Sequence, residues 1–128
     1  MNLLLDTHAF LWLRFSPDKV SNAALTAYQD DNNQIFFSLV SIWEIQIKQQ
    51  LGKLELDIGL ADLLQEQCGN NQLELLPIKL NHILDLKKLP FHHKDPFDRL
   101  LISQTFSEGM VLVSSDEFFS DYGVDVLW

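Results

Sequence analysis

Short apolar runs recur along the chain and predict buried β-strands. Each run is rich in Leu, Val, Ile or Phe and is bounded by polar turn residues. Strands that are buried on both faces read as nearly continuous apolar runs, which is typical of a parallel sheet. The predicted strands cover residues 3–5, 35–38, 73–78, 110–113 and, as a last short strand, 124–127.

The segments between these runs have apolar positions at helical spacing, and several have recognisable ends. Ser21 and Ser41 are suitable N-caps for two of the helices. Asp95 and Pro96 begin the strongest helix, and Gly109 lies just beyond its end. The predicted helices cover residues 7–15, 22–29, 42–51, 59–68, 80–89 and 96–107.

The length and the order of these elements predict one domain of the α/β class. The chain has 128 residues, of which 47% are hydrophobic, so it can bury roughly two thirds of its unfolded surface. Its single cysteine, Cys68, has no partner for an internal disulfide. Strands that alternate with helices indicate a mainly parallel central sheet flanked by helices, over residues 1–128.

The charge of the chain limits the classes of partner. Nine basic and eighteen acidic residues give a net charge of −9. Such a surface repels nucleic acid at long range, because affinity for phosphate usually comes from Lys and Arg. The charge favours a basic protein partner, and it is compatible with an enzyme whose carboxylates are neutralised by divalent cations. No apolar run approaches the roughly 20 residues of a membrane span, so we expect a cytoplasmic protein with no membrane association.

Four acidic residues fall where a parallel sheet binds ligands, beyond the carboxyl ends of its strands. Asp6 follows the first predicted strand, and Asp116 follows the fourth. Glu44 and Asp98 lie near the starts of two predicted helices. Taken singly, three of them can be caps, turn residues or helix-dipole partners, and Glu44 can pair with Lys48 one turn later. Their joint placement favours a shared site.

Crowded carboxylates repel one another, and some of them take up protons unless a cation is bound. Oxygen-only ligands favour Mg²⁺ or Mn²⁺. Such an ion can lower the pKa of a bound water and stabilise the charge that develops on a phosphodiester. The acids therefore indicate a metal-dependent nuclease or phosphodiesterase, which can hold RNA through the metal despite the acidic surface.

Four segments of the sequence carry a recognisable pattern. They are LLDTHAFLW at 4–12, SIWEI at 41–45, HHKDPFDRLLI at 92–102 and VSSD at 113–116. Together they resemble the PIN-domain family, and in particular the VapC-type toxins of bacterial toxin–antitoxin modules. They occur in family order and spacing, so the resemblance covers essentially the whole chain.

The resemblance implies an endoribonuclease that depends on Mg²⁺ or Mn²⁺ and is inhibited by a cognate antitoxin. It also implies a homodimer, and hydrolysis that leaves a 5′-phosphate and a 3′-hydroxyl. The four acids of the family fall on Asp6, Glu44, Asp98 and Asp116. The first three are expected to hold the metal, and Asp116 to bind it directly or through water.

Three further residues match positions around the acids of the family. Thr7 follows the first acid and is expected to fix that carboxylate. Ser114 stands where many relatives have Thr, so the hydroxyl is retained. Asp95, the first acid of the DPFDR run, is expected to support the site or simply to cap its helix.

Other residues admit two interpretations. Lys48 and Arg99 either contact phosphate or pair with neighbouring acids. The histidines have no metal-binding spacing and are expected in surface or loop roles, although His8 lies close to Asp6 in sequence; they are His8, His82, His92 and His93. The alternative function is a catalytically inactive PIN-like module that binds a partner, although a degenerate site is expected to have lost some of the four acids.

Overall fold

Five parallel strands form one sheet in the order β3-β2-β1-β4-β5. The computed structural model describes residues 1–128. All four strand pairs are parallel, so the predicted α/β fold is confirmed. The strands are β1 Asn2–Leu5, β2 Gln34–Ser38, β3 Glu74–Leu76, β4 Val111–Val113 and β5 Val126–Leu127.

Helices cover the sheet and connect its strands. Three 3₁₀ segments, Pro17–Lys19, Asp85–Lys88 and Glu117–Tyr122, complete the connections. No helix is both long enough and apolar enough to cross a membrane. The α-helices are α1 Thr7–Phe15, α2 Asn22–Gln29, α3 Leu39–Gln50, α4 Leu60–Asn70, α5 Leu80–Leu84 and α6 Pro96–Glu108.

Two of the predicted helices differ from the structure. The N-cap of α3 is Ser38, whose hydroxyl accepts a hydrogen bond from the Val40 amide; the predicted cap, Ser41, is buried inside the helix. Strand β2 therefore passes directly into α3, and Glu44 lies in the second turn rather than the first. The predicted helix over 80–89 is an α-helix only to Leu84 and continues as a 3₁₀ segment.

The central strand β1 divides the core into two layers. Alternate residues of a strand point to opposite faces of the sheet. Leu3 and Leu5 belong to the layer built mainly with α1, α2, α3 and α4. Leu4 belongs to the layer built with α6 and the Glu117–Tyr122 segment. All three leucines are at most 1% exposed, so the strand that precedes Asp6 is rigidly placed.

The register of the sheet aligns the carboxyl ends of its three central strands. Leu5 of β1 pairs with Phe37 of β2 and with Val113 of β4. Asp6 therefore follows β1 at the same level at which Ser114 follows β4. Because parallel strands end at one edge, the acids after them face a common region.

Candidate metal centre

Asp6 occupies the centre of this edge. Its amide donates a hydrogen bond to the Val113 carbonyl at 3.1 Å, and its Oδ1 accepts one from the Ala9 amide at 2.7 Å. Asp6 is therefore the N-cap of α1, and it is only 5% exposed. The cap role and a place in the site coexist, because the cap hydrogen bond involves one carboxylate oxygen.

The surroundings of Asp6 disfavour the ionised form of its carboxyl group. Burial raises the pKa of its carboxyl, and the nearby Asp116 carboxylate raises it further. The Ser114 hydroxyl, the Ala9 amide and the charge of His8 lower that pKa but do not offset the burial. Ser114 also accepts a hydrogen bond from the Asp116 amide at 3.0 Å. One hydroxyl thus stands between the first and the fourth acid.

Glu44 approaches the same region from α3. Its Oε1 accepts a hydrogen bond from the Thr7 hydroxyl at 2.6 Å, and its Oε2 lies 3.1 Å from Nζ of Lys48. The sequence predicts the Asp6 carboxylate as the partner of Thr7, and the structure corrects this: the hydroxyl holds Glu44. The residue that follows the first acid therefore positions the second.

Asp98 lies in the first turn of α6, near Glu44. The Trp43 and Phe97 rings meet edge to face at 5.1 Å and join the two helices next to these acids. The pKa of Asp98 is raised to about 6: burial is the largest cause, the charges of Asp95 and Glu44 add to it, and a hydrogen bond from His93 acts against it. The structure therefore brings the third acid within electrostatic range of the second.

His93 is the residue of this region that the sequence does not identify. Its Nε2 lies 2.9 Å from Oδ2 of Asp98. His93, Asp95 and Asp98 each offer a metal-ligand atom, and these atoms lie within 4.8 Å of one another. The only signal in the sequence is that His93 lies near the DPFDR run, and such closeness does not predict which way a loop side chain points.

Asp95 and Arg99 have structural roles on α6. Asp95 is the N-cap, since its Oδ1 accepts hydrogen bonds from the Phe97 and Asp98 amides at 2.8 and 3.1 Å. Arg99 is only 7% exposed. Its guanidinium donates to three backbone carbonyls, those of Pro90, Leu86 and Leu89.

Arg99 therefore matches neither interpretation from the sequence. It pairs with no acid, and its buried guanidinium is occupied by carbonyl oxygens instead of facing a phosphate. Lys48 does pair with an acid, Glu44, and its side chain stays 39% exposed.

The sequence profile of one protein family, the PIN domain, matches residues 3–125. The chain belongs to the PIN domain family. No curated protein matches the sequence.

Solved structures share this PIN fold at low sequence identity. A chain of VapBC2 from Rickettsia felis bound to a promoter DNA fragment has a TM-score of 0.73 and 18% identity, over 98% of this chain and 97% of that one. A chain of DNA-bound VapBC from Salmonella typhimurium has a TM-score of 0.68 and 14% identity, over 98% and 96%. A chain of VapBC-1 from nontypeable Haemophilus influenzae has a TM-score of 0.65 and 16% identity, over 98% of this chain and 96% of that one.

The acids of this PIN domain fit a hard divalent cation. Burial and mutual repulsion raise the pKa of both Asp6 and Asp98. Lys48 is the only Lys or Arg that forms an ion pair with any of the four acids, so most of their charge has no protein counterion. Carboxylate oxygens are the ligands that Mg²⁺ and Mn²⁺ prefer, and a bound cation would remove the cost of bringing these groups together.

Proposed function

We propose that this PIN domain is a metal-dependent endoribonuclease that acts in the cytoplasm as the toxin of a toxin–antitoxin module. The observation that carries the proposal is the crowding of carboxylates around Asp98, where Asp95 and Glu44 are close enough to help raise its pKa to about 6. An ionised carboxylate that is held among other carboxylates does not stabilise the fold. A bound cation would neutralise these carboxylates and remove their repulsion, and PIN domains of VapC toxins are nucleases.

The proposed ligands of Mg²⁺ or Mn²⁺ are Asp6, Glu44 and Asp98, with Asp116 binding directly or through water. When bound, the ion would activate water and stabilise the charge that develops on the phosphodiester. The chain itself contributes position: β1 fixes Asp6, and the Thr7 hydroxyl fixes Glu44.

Two more groups have proposed roles in placing the RNA and the fourth acid. The partly exposed Lys48 would contact a phosphate of the RNA once a cation replaces it as the partner of Glu44. Ser114, which accepts from the Asp116 amide, would keep the loop after β4 in place. The products would carry a 5′-phosphate and a 3′-hydroxyl.

The proposed protein partner is a cognate antitoxin, and a basic residue of that antitoxin would enter the acidic pocket. Two observations support this contact. The net charge is −9, and the similar chains come from structures of VapBC complexes. A homodimer is also proposed. A copurified antitoxin that makes no contact near Asp6 or Glu44 would contradict the contact with the pocket.

RNA cleavage tests the proposed enzyme directly. Antitoxin-free protein would be incubated with total bacterial RNA in Mn²⁺, in Mg²⁺ and in EDTA, beside an Asp6→Asn variant. Asp57→Asn is the matched control, because Asp57 is an exposed acid in the loop between α3 and α4. We expect discrete fragments that need metal, persist in Asp57→Asn and disappear in Asp6→Asn.

The alternative is a catalytically inactive binding module whose acids only cap helices. The N-cap roles of Asp6 and Asp95 favour it. It predicts no cleavage, no binding of Mn²⁺ and normal folding. Cleavage that survives both EDTA and Asp6→Asn would contradict the proposed mechanism.

A further inference from the structure

His93 connects two parts of the acidic site that are distant in sequence. Its ring lies against Oδ2 of Asp98, at the start of α6, with Nε2 2.9 Å away. The same ring packs on Phe118 with the ring centroids 4.2 Å apart. Phe118 belongs to the 3₁₀ segment that begins directly after Asp116. One side chain therefore touches the third acid and the segment that directly follows the fourth.

The backbone of His93 is fixed from the same direction. Its amide donates to the Tyr122 hydroxyl at 2.8 Å, and that hydroxyl donates to the His93 carbonyl at 3.3 Å. Tyr122 is buried in the core layer below. The loop before α6 is thus attached at residue 93, and the imidazole has little freedom to leave Asp98.

We propose that His93 is a positioning residue, which orients the Asp98 carboxylate toward Glu44 and ties it to the segment following Asp116. This inference rests on the proposed function, since it concerns the same acidic site. A carboxylate that binds a cation is ionised, and an ionised carboxylate only accepts hydrogen bonds. The imidazole nitrogen that faces Asp98 is therefore the donor.

A hydrogen-bond donor at this position fixes the orientation of the Asp98 carboxylate. The hydrogen bond engages Oδ2 and leaves Oδ1 of Asp98 for a cation. Partners that hold a ligating carboxylate are typically worth about 10- to 100-fold in metal affinity. His93 does not act as a ligand in this arrangement, because the nitrogen that faces the site carries a hydrogen.

Substitutions at His93 separate positioning from direct coordination. Gln places its side-chain amide close to where Nε2 of the imidazole lies, and so it retains a donor to Asp98. Asn is too short to reach, and Ala has no donor. His92→Ala is the matched control, because the His92 ring packs edge to face on Tyr122 at 5.1 Å but forms no hydrogen bond with an acid.

The first readout is Mn²⁺ affinity of the full chain, measured by calorimetric titration, with the melting temperature of the metal-free protein recorded for each variant. We expect His93→Ala and His93→Asn to bind Mn²⁺ about 10-fold more weakly. His93→Gln and His92→Ala should stay within about 3-fold of the unsubstituted protein, since each leaves a donor to the carboxylate in place. Melting temperatures that remain comparable show that the loss is local.

The second readout is RNA cleavage as a function of Mn²⁺ concentration. His93→Ala should lose activity at limiting Mn²⁺ and recover most of it at saturating Mn²⁺, with KM for RNA unchanged. Unchanged Mn²⁺ affinity in His93→Ala would overturn the inference while the nuclease assignment stands. A His93→Gln variant as weak as His93→Ala would also overturn it, in favour of direct coordination. If the unsubstituted protein binds no Mn²⁺, the proposed function fails, and this inference fails with it.

Discussion

The Thr7 hydroxyl donates a hydrogen bond to Oε1 of Glu44 at 2.6 Å, across 37 positions of sequence. This contact joins the start of α1 to the second turn of α3. Because Thr7 directly follows Asp6, whatever fixes the end of β1 also fixes Glu44. The first two acids are consequently positioned as one unit.

Replacement of Thr7 by Val should leave Glu44 less firmly positioned relative to Asp6. Val has nearly the same shape but no donor, so Glu44 keeps only Lys48 as a partner. We expect about 10-fold weaker Mn²⁺ binding, measured by calorimetric titration, and a corresponding loss of RNA cleavage at limiting metal. Thr7→Ser retains the hydroxyl and should remain close to normal. Equal binding by the Val and Ser variants would show that the hydrogen bond does not position Glu44.

The raised pKa of Asp98 makes stability depend on pH. The ordinary pKa of an Asp side chain is 3.8, and that of Asp98 in the folded protein is about 6. Between these values the folded state therefore binds more protons than the unfolded state. The free energy of unfolding should fall as the pH rises from about 4 to about 6. The expected loss, on the order of 2 kcal/mol without metal, can be measured by urea unfolding.

Asp98→Asn removes the titrating group and provides the control. The variant should lose this part of the pH dependence and should be more stable than the unsubstituted protein at about pH 7 without metal. It should also lose RNA cleavage. In the unsubstituted protein, Mn²⁺ affinity should decline as the pH falls through about 6, because protons then compete for Asp98. A pH-independent difference between the two proteins would contradict the raised pKa.

Lys48→Gln should strengthen the binding of the metal and weaken the binding of RNA. In the structure Nζ of Lys48 lies 3.1 Å from Glu44 and competes with a cation for that carboxylate. Its removal should tighten Mg²⁺ binding about 2- to 5-fold, an effect that weakens at high salt because the pair is partly exposed. If Lys48 also contacts phosphate, KM for RNA should rise. Tighter metal binding with unchanged KM would limit Lys48 to the pairing role.

Arg99→Lys tests the structural role of the guanidinium. Lys cannot reach the three carbonyls of Pro90, Leu86 and Leu89 at once, so partly buried acceptors lose their partners. We expect the free energy of unfolding to fall by about 2 to 4 kcal/mol. Arg14→Lys, at an exposed pair with Glu66, should leave the free energy of unfolding nearly unchanged, because solvent screens the pair. A stable Arg99→Lys variant with impaired RNA binding would restore the phosphate contact that the sequence suggested.

The sheet and the placement of the acids could be predicted because they depend on local patterns. Continuous apolar runs specify strands that are buried on both faces, and parallel strands bring the residues that follow them to one edge. The positions of Asp6 and Asp116 at this edge follow from the strand pattern alone. The caps Ser21 and Asp95 were also predictable, since an N-cap binds amides only two or three positions away.

The partners of the side chains could not be predicted in the same way. Thr7 has two acids within reach, and only the packing of α1 against α3 decides between them. His93 and Arg99 lie in or next to one loop, yet one faces the acids and the other is buried under carbonyls. Ser38 and Ser41 are equally good caps in sequence; the length of β2 selects Ser38. Each of these outcomes depends on contacts between elements.

The strand order delays completion of the site until β4 has been made. Strand β1 lies next to β4 in the sheet, but β2 and β3 come between them in the chain. Asp6 consequently has no Ser114 or Asp116 beside it until translation has passed these residues. If the protein cleaves RNA as proposed, a nascent chain that still lacks β4 has no complete site with which to cleave the RNA around it, and an antitoxin that contacts the acids meets its binding site only after β4 has been added.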